Sequence, residues 1–545
     1  MKDNDEIMKF IDEYLNSHEV DSRDVLGQGG QGIVYRTTDG CVALKLALEN
    51  GEKITDVDKI ESFKRSIKKL LYLQLPKNVN VSIPLAVLKD DAGYVMKMLN
   101  TARSFEFFSQ RNMEFRYLNG YEDNLDAYGV HLEQSEEIQA EEKSENSECK
   151  ERESLENHLF KYDSKNNLLV FDRKVRNKSL FMRYAFTGGV RLRTLALGKA
   201  AVEMSKLHSR GLVYGDISDK NVYFVAEDDE KCTVWYIDAD NLDYEKKKGV
   251  IVYTPKYGAP ELVQNVDGIR TVSDCFAFSV LVSHVLTWCH PFEGKRVFEV
   301  NGDDFDSDEI AYRGELPWIF DPDDTSNYYE SPLPHKFIYT SGIFRLLKLT
   351  FCEGRTHSFA RPSMYYWGPS LVQAHDITVK CAAPKCGMTM YFNPDASGTH
   401  KCECCDNVNN NQQLLCLKAF RLTAKGYIKD PEWIWVREVD FNSNHSILEL
   451  PARIFEPFDT RTFDDTFLKI IVKASNIIVR YCAYSSSEIY IASAARGGRF
   501  TKLSNYVLTV DDLRKDKNIW LMCVTSNGYH RLITMSLKEA GNETV

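Results

Sequence analysis

The sequence predicts an α+β chain: mixed helices and strands up to about residue 372, a small cysteine-rich module, and a C-terminal β-sandwich. Three observations carry this expectation. A glycine-rich hairpin with a lysine-bearing strand lies near the N-terminus, and an acidic turn with its own hairpin follows much later. Paired cysteines then cluster between Cys381 and Cys405, and from about Gln412 short alternating apolar runs replace helical periodicity. At 545 residues the chain has room for roughly three domains of about 150 residues. Its 43% hydrophobic and 12% aromatic residues suffice for real cores. The expected boundaries are 1–99 (glycine hairpin and lysine strand), 100–183 (an insertion with an acidic arm), 184–372 (acidic turn and its hairpin), 377–410 (cysteine module) and 411–545 (β-rich region).

A net charge of −11 argues against general binding to nucleic acid or anionic membranes. No long uncharged apolar run could cross a bilayer. The opening MKDNDEIMKFIDEYL is acidic and amphipathic, unlike a secretory leader. Most cysteines sit singly in apolar runs, as small buried hydrophobes do, while the 381–405 cluster suits metal in a reducing compartment. A cytoplasmic protein is expected.

Val25 and Leu26 lead into Gly27, Gly29 and Gly32, and Ile33-Val34-Tyr35 resumes the strand pattern. Such glycines present backbone N–H groups to a phosphate with no Cβ in the way. The next strand, Cys41 to Lys45, surrounds Lys45 with apolar residues and so points its ammonium inward beneath the loop. Either feature alone is commonplace; in succession they point to a phosphate contact. A helix is predicted over Lys59 to Leu75, ending before Pro76, and a strand over Gly93 to Leu99. Leu132 to Asn157 holds ten glutamates and no aromatic residue, which predicts a solvated loop. An acidic arm docking a basic partner or covering a cleft is the alternative. Its flanks, Phe105 to Tyr121 and Leu168 to Met182, are expected to fold onto residues 184–372.

Ala200 to His208 has helical spacing and ends at Gly211. In the following turn, Asp216 and Asn221 stand in a D-x4-N arrangement that can aim a carboxylate at an acceptor hydroxyl while the amide meets a cation. The apolar strand Val234 to Ile237 then delivers Asp238, a natural Mg²⁺ ligand at a strand end.

In this order the motifs resemble a eukaryotic-type Ser/Thr protein kinase, from about Asp21 to Val372. The resemblance implies a bilobal protein-kinase fold, ATP and Mg²⁺ as cofactors, and a protein substrate. It places Leu26, Gly27, Gly29, Gly32, Val34, Ala43 and Lys45 around ATP. Met96 would back the adenine, with the backbone of Lys97 to Leu99 at its edge. Asp216 becomes the catalytic aspartate, and Asn221 and Asp238 the magnesium ligands. Tyr253 to Glu261 resembles the end of an activation segment, in which Thr254 favours Ser/Thr acceptors. Ser273 to Phe278 resembles the helix bracing the catalytic turn, and Arg361 the partner of Glu261.

The departures are specific. Tyr214-Gly215 replaces His-Arg, so control through an arginine-paired phosphate is not expected. Ser218 replaces a lysine. Ala239-Asp240 replaces Phe-Gly, although aspartate tolerates left-handed backbone better than most residues. The position of the helix glutamate that pairs with the lysine falls at Ser66. The nearest upstream acid, Glu61, would sit about 140° around the helix. Two alternatives therefore accompany the kinase reading: a nucleotide-binding pseudokinase scaffold, and a binding protein whose working part is its tail.

Cys381 and Cys386, with Cys402 and Cys405, supply two thiolate pairs on tight turns, the pattern of a structural zinc ribbon. Cys404 is the alternate ligand. Strands are predicted over Leu414–Leu422, Trp433–Val439, Phe467–Val472, Asn476–Tyr484, Glu488–Ala494 and Trp520–Ser526. The layout resembles bacterial kinases of stress-response and phage-defence clusters that carry a C-terminal zinc ribbon and β domain. That resemblance implies a protein partner for the tail.

Overall fold

A computed structural model describes residues 7–29, 32–108, 160–163, 168–171, 181, 183–246, 253–298, 306–329, 331, 333, 335–384, 386–395, 401–409, 412–440, 446–456, 464–473, 476–482, 487–515, 517–525 and 528–540. The acidic run 132–157 lies outside them, as does most of both flanking pieces. The chain is a mixed α/β protein with several separate sheets.

The first sheet is seven-stranded and antiparallel. Its strands are β1 (Ile7–Ile11), β2 (Ser17–Gly29), β3 (Gly32–Thr37), β4 (Val42–Glu49), β5 (Glu52–Lys53), β6 (Pro84–Val87) and β7 (Gly93–Lys97). They run in the order β1-β2-β3-β4-β7-β6, with β5 on β4. Strand alternation splits β4 between two environments. Leu44 and Leu46 enter a cluster with Phe10, Val20, Tyr35, Leu88 and Val95, whereas Ala43 joins the main core with Tyr94 and Met96. Lys45 alternates with the leucines and is buried nonetheless.

Helix α1 (Val57–Leu71) is capped by Asp56, whose side chain accepts from the Lys59 amide, and buries Ile60, Ile67 and Leu70. It ends earlier than the expected Leu75. The residue before Pro76 is biased away from helical backbone, and Leu73 and Leu75 pack against the core in irregular chain.

The second half is built on α2 (Gly189–His208), α3 (Thr271–Thr287) and α4 (Met364–Asp376). Helices α2 and α4 cross closely: a Cβ on Gly198 would lie 2.6 Å from Val372 Cγ2. Helix α3 is buried along nearly its whole length, as its lack of charge after Asp274 requires. Strands Val222–Ala226 and Cys232–Tyr236 form an antiparallel hairpin, and Arg103–Ser104 adds a third strand. Just after it, Phe108 stacks on Phe224 with centroids 4.6 Å apart, so the start of the insertion packs on this hairpin.

Beyond α4, Thr378–Lys380 pairs with Thr389–Tyr391, and the cysteine turns lie beside this small ribbon. Cys381, Met388, Met390, Cys402 and Cys404 belong to the same core cluster as α2 and α3. Among the described residues the module is therefore docked on the preceding half through these side chains, and on the C-terminal strands through Val379. A seven-stranded sheet follows, in the order Gly426–Tyr427, Gln412–Thr423, Arg531–Ala540, Ile519–Val524, Glu488–Ser493, Thr501–Lys502, with Trp433–Glu438 also on Gln412–Thr423. A four-stranded sheet joins Ser446–Pro451, Thr466–Lys473, Asn476–Tyr481 and Asn505–Thr509. The two sheets share one core, to which α4 contributes Val372. Five of these strands, Gly426–Tyr427, Ser446–Pro451, Thr501–Lys502, Asn505–Thr509 and Arg531–Ala540, are not among those the sequence predicts.

Candidate functional site

Cross-strand register lines up the N-terminal candidates. Val34, Lys45 and Tyr94 stand opposite one another on β3, β4 and β7, with Ala43 opposite Met96 two residues away. Gly27 pairs with Val34, and Gly29 with Gly32, just below the hairpin tip. Gly32 is required by close approach: a Cβ there would lie 2.7 Å from the Leu46 carbonyl and 3.3 Å from Lys45 Cε. Gly27 and Gly29 face open space, leaving room above the loop. Leu26 is partly exposed, Lys97 lays its ammonium 4.1 Å from the Trp235 ring centroid, and Leu99 is half-buried.

The acidic turn is held from several sides. The Tyr214 and Gly215 amides donate to the two oxygens of Asp274 at 2.8 and 2.9 Å, and His208 Nε2 lies 3.0 Å from the same carboxylate. Buried Asp274, near the start of α3, thus braces the turn from below. The Tyr214 hydroxyl donates to the Ile237 carbonyl. This explains a departure noted in the sequence: a tyrosine before Gly215 ties the turn to the strand that delivers Asp238. Asn221 Nδ2 donates to Asp216 Oδ2 at 3.0 Å, and Thr254 Oγ1 to Asp216 Oδ1 at 2.6 Å. Burial pushes the Asp216 carboxyl above the usual carboxylate range, against these two hydrogen bonds, which favour its ionised form. Ser218 is fully buried. Arg361 spans both oxygens of Glu261 at 2.7 Å, anchoring the segment that carries Thr254.

The two halves meet at Lys45, which is only 5% exposed. Its ammonium donates to Asp238 and, at 2.7 Å, to Asp240 Oδ2. Burial alone would lower the Lys45 pKa; the Asp240 and Asp238 carboxylates outweigh it and hold the pKa above its ordinary value. The structure thus bonds Lys45 to Asp238 and, beside them, Asp216 to Asn221 and Thr254, the two sets being joined through the Ile237 amide on the Asn221 carbonyl. The left-handed residue is Asp238 itself (φ 57°), and not Asp240 as the sequence suggested. A single 3₁₀ turn over Ala239–Asn241 then swings Asp240 back toward the sheet.

The possible helix partner of Lys45 does not reach it. Glu61 is exposed and bonds Lys64 at 2.9 Å, and Ser66 Oγ donates to the Phe63 carbonyl of its own helix at 2.7 Å. Helix α1 instead brings Phe63 to this corner, stacked on Tyr94 with centroids 6.5 Å apart. Asp240 is the residue that sequence reasoning noted but did not place in the site. Its signal was a second acid two residues after Asp238.

A second cluster lies in the cysteine module. Cys381, Cys386, Cys402 and Cys405 put their sulfurs within 4.8 Å of one another. Cys381 lies 3.6 Å from Cys405 and Cys386 3.7 Å from Cys402. Gly387 takes φ 65° directly after the first pair, a turn a glycine makes without strain. Four converging thiols could hold one tetrahedral metal ion; Cys404 is buried nearby but outside the set.

No family model matches the chain. Mouse and human proteins named ribosomal protein S6 kinase alpha-3 are each 34% identical to it over 99 residues, 18% of this chain and 13% of theirs. The Xenopus laevis ribosomal protein S6 kinase 2 alpha is 33% identical over a stretch of the same extent. The chain therefore matches about an eighth of the length of these relatives. Over that stretch it is kin to protein kinases.

Proposed function

We propose that this chain is an ATP- and Mg²⁺-dependent protein kinase that phosphorylates serine or threonine. One observation carries the reading: a buried lysine from the first sheet bonds a strand-end aspartate that lies beside an Asp-Asn turn of the second half. The partial kinship with protein kinases supports it. Lys45 would meet the nucleotide's phosphates, and Gly27, Gly29 and Gly32 would let the hairpin cover them. Ala43 and Met96 would flank the adenine. Asp238 and the side-chain oxygen of Asn221 are hard donors suited to magnesium, which supplies charge neutralisation at the transferring group. Asp216, steered by Asn221 and Thr254, would accept the proton of the acceptor hydroxyl. Zinc in the four-cysteine cluster would be structural, since four thiolates leave no open position. The C-terminal sheets are read as a protein-partner module, and the protein as cytoplasmic.

Incubation with γ-labelled ATP and Mg²⁺ tests the reading. The native chain transfers label, and Asp216→Ala loses about 10²–10⁴ in rate. Transfer unchanged in Asp216→Ala rules out the assignment, and nucleotide binding without transfer in the native chain favours the pseudokinase scaffold. A bacterial stress or phage-defence role rests on the resemblance of layout, and is tested by plaque counts on cells carrying the native or Asp216→Ala chain.

A further inference from the structure

We infer that Asp240 is the positioning residue that anchors Lys45, doing from the catalytic half the work a helix acid would otherwise do from α1. The inference rests on the kinase reading above. Four observations lead to it. Lys45 donates to Asp240 Oδ2 at 2.7 Å from a position 195 residues away in sequence. Tyr94, fully inside the protein and opposite Lys45 in the sheet, donates its hydroxyl to the other oxygen of Asp240 at 2.7 Å. Both oxygens are thus engaged, so the carboxylate cannot rotate away without breaking a bond to one of two buried groups. Finally, α1 offers nothing ionic here: it presents Phe63 to the Tyr94 ring, while Glu61 and Ser66 bond within the helix.

The division of labour follows from charge. Two carboxylates share one ammonium. When a nucleotide and a divalent cation enter, Asp238 is the one suited to turn to the cation, because it lies at the strand end beside the Asp216 turn. Asp240, held by Tyr94, stays with Lys45 and keeps the ammonium aimed. Lys45 then needs no movement of α1 to be in place. Activity should therefore be insensitive to changes on the exposed face of α1.

The test compares Asp240→Asn with Tyr94→Phe, Glu61→Ala and Ser66→Ala in the full chain. Initial rates are read against ATP and against Mg²⁺, and melting temperature is read without ligand. Asp240→Asn is expected to lower kcat about tenfold to a hundredfold, the cost of a misplaced charged group. Half-saturating Mg²⁺ should move less than about threefold in the same variant. Tyr94→Phe, which keeps every charge, should fall in the same direction by less, and both α1 variants should match the native chain. A cycle of melting temperatures over Lys45→Met, Asp240→Asn and the double variant should be non-additive, a readout independent of turnover. Additive melting shifts, or kcat in Asp240→Asn within about twofold of native, overturns the anchor. A loss in Asp240→Asn that excess Mg²⁺ restores makes Asp240 a metal ligand and also overturns it. A native chain that binds no nucleotide takes down the kinase reading itself, and the anchor with it.

Discussion

Arg437, on a strand of the C-terminal seven-stranded sheet, closes on both carboxylate oxygens of Glu230 at 2.5 and 2.8 Å. Glu230 sits in the turn of the hairpin that runs from Asn221 to Asp238. Arg437 also reaches His375 and the Asp376 carbonyl on α4, where Asp376 accepts from Arg453 and Trp433. A buried polar network thus fastens the C-terminal sheets to the hairpin that carries the candidate metal ligands.

Removing Arg437 leaves Glu230 part-exposed, with His375 and Arg191 still beside it, but takes the guanidinium away from the buried end of the network at α4. Arg437→Met is expected to destabilise the chain by about 1–3 kcal/mol. Urea denaturation measures it, and a change below about 1 kcal/mol would show that water replaces the guanidinium. By the same reasoning, a chain cut after Asp376 exposes Val372 and strands Asp376, so it should express poorly or unfold early.

Asp216 should show function working against stability. Its carboxyl titrates above the ordinary range because it is buried. A raised folded-state value means that the stability contribution is present at low pH and is lost as pH rises through that value. Asp216→Asn, neutral at every pH, should therefore melt at or above the native temperature at neutral pH while losing transfer. The acid limb of the native rate profile should lie above the pH at which an exposed aspartate titrates.

His284 is partly buried in α3, and desolvation followed by the nearby charge of His290 pushes its pKa down to about 3, with Glu293 opposing. The unfolded chain takes up that proton near pH 6.5, the folded chain does not. Stability from this group is present above pH 6.5 and is lost as pH falls toward about 3. His284→Gln should flatten the fall of melting temperature between about pH 6.5 and 4. An unchanged slope would assign the acid sensitivity to other groups.

The four converging sulfurs set an expectation for metal analysis. The purified chain should carry one zinc per molecule, and Cys386→Ser should lose it. A chelator should lower the melting temperature of the native chain, because zinc held by four thiolates can contribute about 10–16 kcal/mol to folding. Since the module shares its core with α2 and α3, loss of zinc should also be felt in the catalytic half. A melting curve indifferent to chelator would make these cysteines a reduced cluster.

What the sequence determined by itself was local. The order of the glycine hairpin, the lysine strand and the Asp-Asn turn follows from residues within a few positions of each other. So do the cysteine spacing and the alternating strands after Gln412. Such patterns fix backbone form and side-chain face wherever a run of residues has one period. Which acid serves Lys45 was not legible. Glu61 and Asp240 were both visible, but only packing decides that α1 turns Phe63 inward, or that a 3₁₀ turn returns Asp240 to the sheet. The docking of the cysteine module and the Arg437–Glu230 bridge were equally hidden. Pairing across such sequence separations depends on how whole elements close over one another, and a charge in a turn such as Glu230 looks solvated until a buried arginine meets it.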